Sequence, residues 1–180
     1  MMANTSLDIP SPSRTSFAVV IEKNQIPDFT LFQWLSDTDR PPRMIIEVKP
    51  LIRESTLTNA RQVIEGTTWQ LLRQVMHAFE MEGDFGSVHI LCIVGEFFSM
   101  TSIDRRHQSL LPPCEMDELE DSSFSEQTIA NINRYYSTTL RTLILGTAKI
   151  LSGTRNDYST AFRNAWNGFT STYSLQCDWT

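Results

Sequence analysis

Apolar residues recur along this chain in two ways, as short alternating or near-continuous runs and as longer stretches spaced three, four and seven apart. The run FAVVIE (17–22) predicts a first strand, and NQIP turns the chain. DFTLFQWL (28–35) predicts a second strand, rich in aromatic and apolar residues. SDTDRPP reads as a loop, because Ser, Asp and paired prolines interrupt regular structure. MIIEVK (44–49) predicts a third strand, ended by Pro50, whose apolar density suits a central place in a sheet.

From 56 to 80 the spacing becomes helical, with Leu57, Ala60, Ile64, Leu71, Val75 and Phe79 on one side. SVHILCIV (87–94) and EFFSMTSI (96–103) read as strands separated by Gly95, or as one strand continuous through a bend. RRHQSLLPPCEMDELEDSS reads as a long acidic connector, solvated from Glu115 to Asp121. A long helix is expected from Phe124 to Leu151, with Ile129, Ile132, Leu140, Leu143, Ile144 and Ile150 on its apolar side. SGTRNDYS breaks it, and TAFRNAWNGF predicts a short closing helix. The order β-β-β-α-β-β-α-α predicts an α+β fold, a central mixed β-sheet flanked by helices. Residues 1–16 read as a flexible arm and 17–180 as one domain.

Composition narrows the classes. The length of 180 residues, with 41% hydrophobic and 20% charged, suits one globular domain with a sizeable core. A net charge of −6 is unlike the basic surface of a dedicated nucleic-acid binder, yet a compact site can still meet phosphate through metal ions. Cys92, Cys114 and Cys177 lie far apart and form no CxxC, which points to a reducing, intracellular setting, nuclear or cytoplasmic. No apolar run reaches the length of a membrane span, and the polar start MMANTSLDIPSPSRTS has no hydrophobic signal region.

The candidate chemistry sits in the third strand, where a glutamate and a lysine interrupt an apolar run. Charged groups enter such a strand with a partner or a task. Alternation points Met44, Ile46 and Val48 to one face and Ile45, Glu47 and Lys49 to the other. Asp28 begins the preceding strand, and antiparallel pairing would bring it beside Glu47. Two close carboxylates repel unless a cation lies between them. Oxygen ligands with room for water and phosphate suit Mg2+ or Mn2+, which can activate water at a phosphodiester. A neighbouring lysine can orient that water or stabilise developing charge.

At Pro27–Asp28 and Glu47–Val48–Lys49 the chain resembles the PD-(D/E)XK nuclease superfamily, of restriction-endonuclease-like fold. The resemblance covers residues 17–103 and implies a metal-dependent nuclease that hydrolyses nucleic-acid phosphodiester bonds, with DNA ahead of RNA as partner. It implies Mg2+ or Mn2+ held by Asp28, Glu47 and the backbone carbonyl of Val48, with Lys49 assisting water attack. The helix that follows carries Gln70 and Gln74 in QLLRQ, similar to the Gln-containing helix of exonuclease-like branches. Gln70 joins Asp28, Glu47 and Lys49 as a catalytic candidate, and Gln70, Gln74 and His77 form one polar stripe. RMIIEVKP and VHILCIVGEFF also resemble nuclease-like domains of fungal genomes.

The family opens with a helix bearing a further acid. Here the N-terminal arm has no helical periodicity, its acid is Asp8, and Glu22 is the nearby substitute. That departure, with the negative charge, supports an alternative: a catalytically inactive nuclease-fold domain serving as a protein-interaction module. In that case Glu47 and Lys49 pair with each other or with the helix glutamines. Other features read as structural. Glu-x-Lys alone usually marks a solvated strand face, and Gln70 and Gln74 alone an exposed helix face. Cys92 reads as a small core residue, and Trp34, Trp69, Trp166 and Trp179 read as packing groups. His77, His89 and His107 are too scattered for a zinc site.

Overall fold

The computed structural model describes residues 17–20, 28–33, 35, 40–51, 54–81, 86–106, 126–153 and 157–175. Among the described residues, six strands form one sheet in sequential order: β1 (Phe17–Val20), β2 (Phe29–Gln33), β3 (Pro42–Lys49), β4 (Ser87–Val94), β5 (Phe97–Asp104) and β6 (Ala148–Lys149). The expected α+β architecture, a central mixed sheet with flanking helices, is present. β3 holds an inner position, as its apolar density predicts. It pairs antiparallel with β2 and parallel with β4, and every other neighbouring pair is antiparallel. A parallel pair needs a long crossover, and α1 (Leu57–Met81) supplies it.

The strand alternation sorts the core into two layers. Ile45, Ile90, Cys92 and Val94 face α1, against Ala60, Ile64, Leu71, Leu72, Val75 and Phe79. Leu57, expected on that apolar side, is instead 38% exposed at the first turn of the helix. Met44, Leu91 and Phe98 face the opposite way, onto Phe162, Trp166 and Phe169 of α4 (Thr160–Thr172). Helices therefore cover both faces of the sheet. Ser159 caps α4, its Oγ accepting from the Phe162 N–H at 3.1 Å.

One expectation is met and one needs correction. The strands expected on either side of Gly95 are separate, at 87–94 and 97–104, rather than one strand continuous through a bend. They fold into an antiparallel hairpin around Gly95–Glu96. Gly95 has φ of +57°, the left-handed region that a two-residue hairpin needs and that L-residues avoid. The long helix of 124–151 is two helices, α2 (Glu126–Tyr135) and α3 (Ser137–Leu145), followed by β6. The break falls at Tyr136, with φ −119° and ψ −2°, ahead of Ser137–Thr138–Thr139, whose hydroxyls and branching disfavour a continuous helix. α3 ends at Gly146, where the Ser99 hydroxyl of β5 donates to the Leu143 carbonyl and the Thr147 hydroxyl to that of Ile144. Ile150, expected on the helix, packs on the α4 side of the sheet.

Smaller differences concern strand ends. Asp28 lies at a bend just before β2, and β3 begins two residues early, at Pro42, where a strand tolerates proline. The β2–β3 register shifts at Leu31/Phe32, where Leu31 pairs with Met44 and Phe32 with Pro42. The arm of 1–16, Glu22, Trp34, His107, the acidic connector, Cys114, Cys177 and Trp179 lie outside the described residues. Among the described residues, no helix is long and apolar enough to cross a membrane.

Candidate active site

β2 and β3 pair with Phe29 opposite Ile46, and Asp28 lies at a bend one residue before β2, next to the end of β3 that carries Glu47, Val48 and Lys49. The arrangement is fixed by a hydrogen bond: the backbone N–H of Val48 donates to Asp28 Oδ2 at 2.6 Å. Asp28 is exposed, whereas Glu47 is 3% exposed. The pair thus spans the boundary between solvent and core.

Glu47 points toward α1, as the alternation predicts. A buried carboxylate costs several kcal/mol unless charge and hydrogen bonds compensate it. Here three side chains do so. Lys49 Nζ lies 2.5 Å from Glu47 Oε1. Gln70 Nε2 donates to the same oxygen at 2.8 Å, and Gln74 Nε2 donates to Oε2 at 3.2 Å. Lys49 also donates to Gln70 Oε1 at 3.2 Å, so the Gln70 amide bridges both members of the ion pair. Four turns into α1, the i, i+4 spacing of Gln70 and Gln74 stacks both amides over the carboxylate.

The structure therefore joins Glu47, Lys49 and Gln70 through their side chains and ties Asp28 to the backbone N–H of Val48. It also adds Gln74, which is buried rather than on an exposed helix face. The i, i+4 pairing with Gln70 was the available signal for it. His77, the third member of the stripe, is half-buried, and no hydrogen bond joins it to Glu47 among the described residues. Cys92 lies opposite Glu47 on β4. Burial pushes its thiol up to about 12, the Glu47 charge raises it further and Lys49 partly offsets this. It is a protonated core group at neutral pH, as its apolar setting suggests.

β3 ends in a defined position. The Gly95 N–H donates to the Lys49 carbonyl at 3.2 Å, tying the hairpin tip to the end of the site strand. A Cβ on Gly95 would lie 3.0 Å from Leu51 Cβ.

The remaining sequence candidates fall elsewhere. His89 lies on the α4 side, edge-on to Phe169 and Tyr173, with Tyr173 Oη 3.3 Å from its Nδ1. Burial holds its pKa below the usual value. Trp166 packs on Phe162 and Phe169, whereas Trp69 is 38% exposed.

Chemically, Glu47 and Asp28 supply carboxylate oxygens on either side of Val48, and the Lys49 ammonium lies beside Glu47. Among the described residues, no group of three or more His, Cys, Asp or Glu side chains is arranged to hold a metal ion. Comparisons of the chain with protein-family models, with curated proteins and with solved structures give no match.

Proposed function

We propose that the chain is a metal-dependent nuclease-like domain that hydrolyses nucleic-acid phosphodiester bonds, with DNA the favoured substrate. The observation that carries this reading is the Glu47–Lys49 ion pair on β3, with Asp28 tied to the intervening Val48 N–H by a 2.6 Å bond. The resemblance to PD-(D/E)XK nucleases calls for two acids and an amine on adjacent strands, and their juxtaposition supports a restriction-endonuclease-like fold.

The donor set fits Mg2+ or Mn2+. Both ions prefer oxygen ligands and keep water and phosphate among them, so two carboxylates and one carbonyl suffice from the protein. Asp28, Glu47 and the Val48 carbonyl would hold the ion. When bound, it supplies Lewis-acid stabilisation of the phosphoryl oxygens and lowers the pKa of attacking water.

The chain's own groups do the rest. Val48 N–H fixes the Asp28 carboxylate and limits its rotation. Gln74 and Gln70 hold the plane of the Glu47 carboxylate from both oxygens. Lys49, 29% exposed at its side chain, is the group placed to meet a phosphate oxygen or orient the attacking water. Gln70 restrains its ammonium.

The test is cleavage of single- and double-stranded DNA and RNA with Mg2+ or Mn2+. The expected result is metal-dependent hydrolysis, lost in Asp28→Ala and in Lys49→Ala while circular dichroism shows a retained fold. Purified protein inert on every substrate would refute the reading.

A second reading has its own observation. Both Glu47 oxygens already carry donors, one of them the Lys49 ammonium. A site closed on itself in this way suits an inactive nuclease-fold domain that binds a protein partner.

A further inference from the structure

Glu47 Oε1, Lys49 Nζ and the Gln70 amide close a triangle. Lys49 touches Glu47 Oε1 at 2.5 Å and Gln70 Oε1 at 3.2 Å, while Gln70 Nε2 reaches the same Glu47 oxygen at 2.8 Å. We propose that Lys49 is a tethered cation that competes for Glu47, so that a divalent ion enters by exchange: Glu47 passes from the ammonium to the ion, and Gln70 keeps the ammonium at the site. The proposal rests on the hydrolase reading of the same cluster and specifies how its metal loading is regulated.

Three features carry it. First, the Glu47 side chain is 4% exposed, so its charge needs a cation close by at all times. Lys49 meets that need in the metal-free protein. Second, an ammonium and a divalent ion on one carboxylate oxygen repel each other strongly in a site shielded from water. Third, the Lys49 side chain is 29% exposed, and it has a second acceptor within reach. It can leave Glu47 without disturbing the core or leaving the site. Gln70 suits this exchange because its amide is both donor and acceptor. Gln74 stays on Oε2 throughout and keeps the carboxylate oriented. Lys49 is thereby a brake on metal binding, and Gln70 a positioning residue for it.

The experiment is an Mg2+ titration of protein carrying 15N-lysine, following the Lys49 ammonium signal by NMR, with Mn2+ calorimetry on wild type and Lys49→Gln. The Lys49 signal should shift saturably with Mg2+ and remain visible at saturation. In Gln70→Leu, it should broaden into rapid solvent exchange once Mg2+ is bound. Lys49→Gln should bind Mn2+ on the order of tenfold tighter or more, since a unit charge a few ångströms away is worth at least that factor at protein-like dielectric. If Mn2+ binds wild type but the Lys49 signal does not move at saturating Mg2+, or Lys49→Gln binds no tighter, the exchange is overturned and the hydrolase reading stands. If neither protein binds Mn2+, both are overturned. The wild-type NMR arm keeps the test decisive should Lys49→Gln fold poorly.

Discussion

Asp28 and Val48 are joined across β2 and β3 by a side-chain to backbone hydrogen bond of 2.6 Å. Through it, an exposed acid at the start of one strand is held against the strand that carries Glu47 and Lys49. Because Val48 is the middle residue of Glu47–Val48–Lys49, the clamp acts at the centre of the motif.

Gln74 should matter for stability as well as for the site. Its Nε2 is one of the donors that compensate a buried carboxylate. Gln74→Leu should destabilise the protein by about 1–3 kcal/mol in urea unfolding, the cost of leaving a buried acceptor short of a donor. Combined with Glu47→Gln, the loss should be smaller than the sum of the single effects. Strict additivity would mean that the contact carries no coupling.

Gly95→Ala should weaken the end of the site strand. A side chain there meets the left-handed φ of +57° and the Leu51 Cβ at 3.0 Å. A loss of roughly 1–2 kcal/mol in thermal or urea unfolding is expected from the left-handed conformation alone. An unchanged midpoint would show that the hairpin tip is not conformationally restricted.

Gln74 and Gly95 both owe their roles to contacts that only partly show in the chain's pattern. The period-two pattern of β3 was legible, because a glutamate and a lysine two apart must share a face. The antiparallel partner was legible from the short Pro-rich connection. The Gly95 hairpin was not, since one glycine between two apolar runs also fits a bend. The turn depends on a backbone angle that composition does not reveal. The helix break at Tyr136 was hidden because Ile132, Leu140 and Leu143 stay in phase across it, and all three are buried. Gln74 was legible as polar but not as buried, because its partner lies 27 residues upstream.

Cys92 should resist alkylation in the folded protein. With its thiol pushed up to about 12, mainly by burial, only about one molecule in 10^4 carries the thiolate at pH 8. Iodoacetamide treatment followed by peptide mapping should leave Cys92 unmodified until denaturant is added. Rapid native labelling would contradict the packing of β4 against α1.

His89 should make stability pH-dependent on the α4 side. Burial lowers its pKa in the folded state below the unfolded value of about 6.5. The unfolded chain then binds the extra proton, so the contribution is present above about pH 6.5 and is lost as pH falls through the lower folded value. Arg43, whose guanidinium lies over the Tyr173 ring at 5.0 Å, adds no relief for a protonated imidazole beside that tyrosine. Melting curves between pH 7.5 and pH 5, taken at roughly half-unit steps, should show a falling Tm that is shallower in His89→Gln. Equal slopes for both proteins would remove His89 as the source.

The most direct test of the central claim is calorimetric titration of Mn2+ into wild-type protein and into Asp28→Asn. A site built from Asp28, Glu47 and the Val48 carbonyl predicts saturable binding heat in wild type that disappears in Asp28→Asn with the fold intact. No heat in wild type, or the same heat in both proteins, would contradict it.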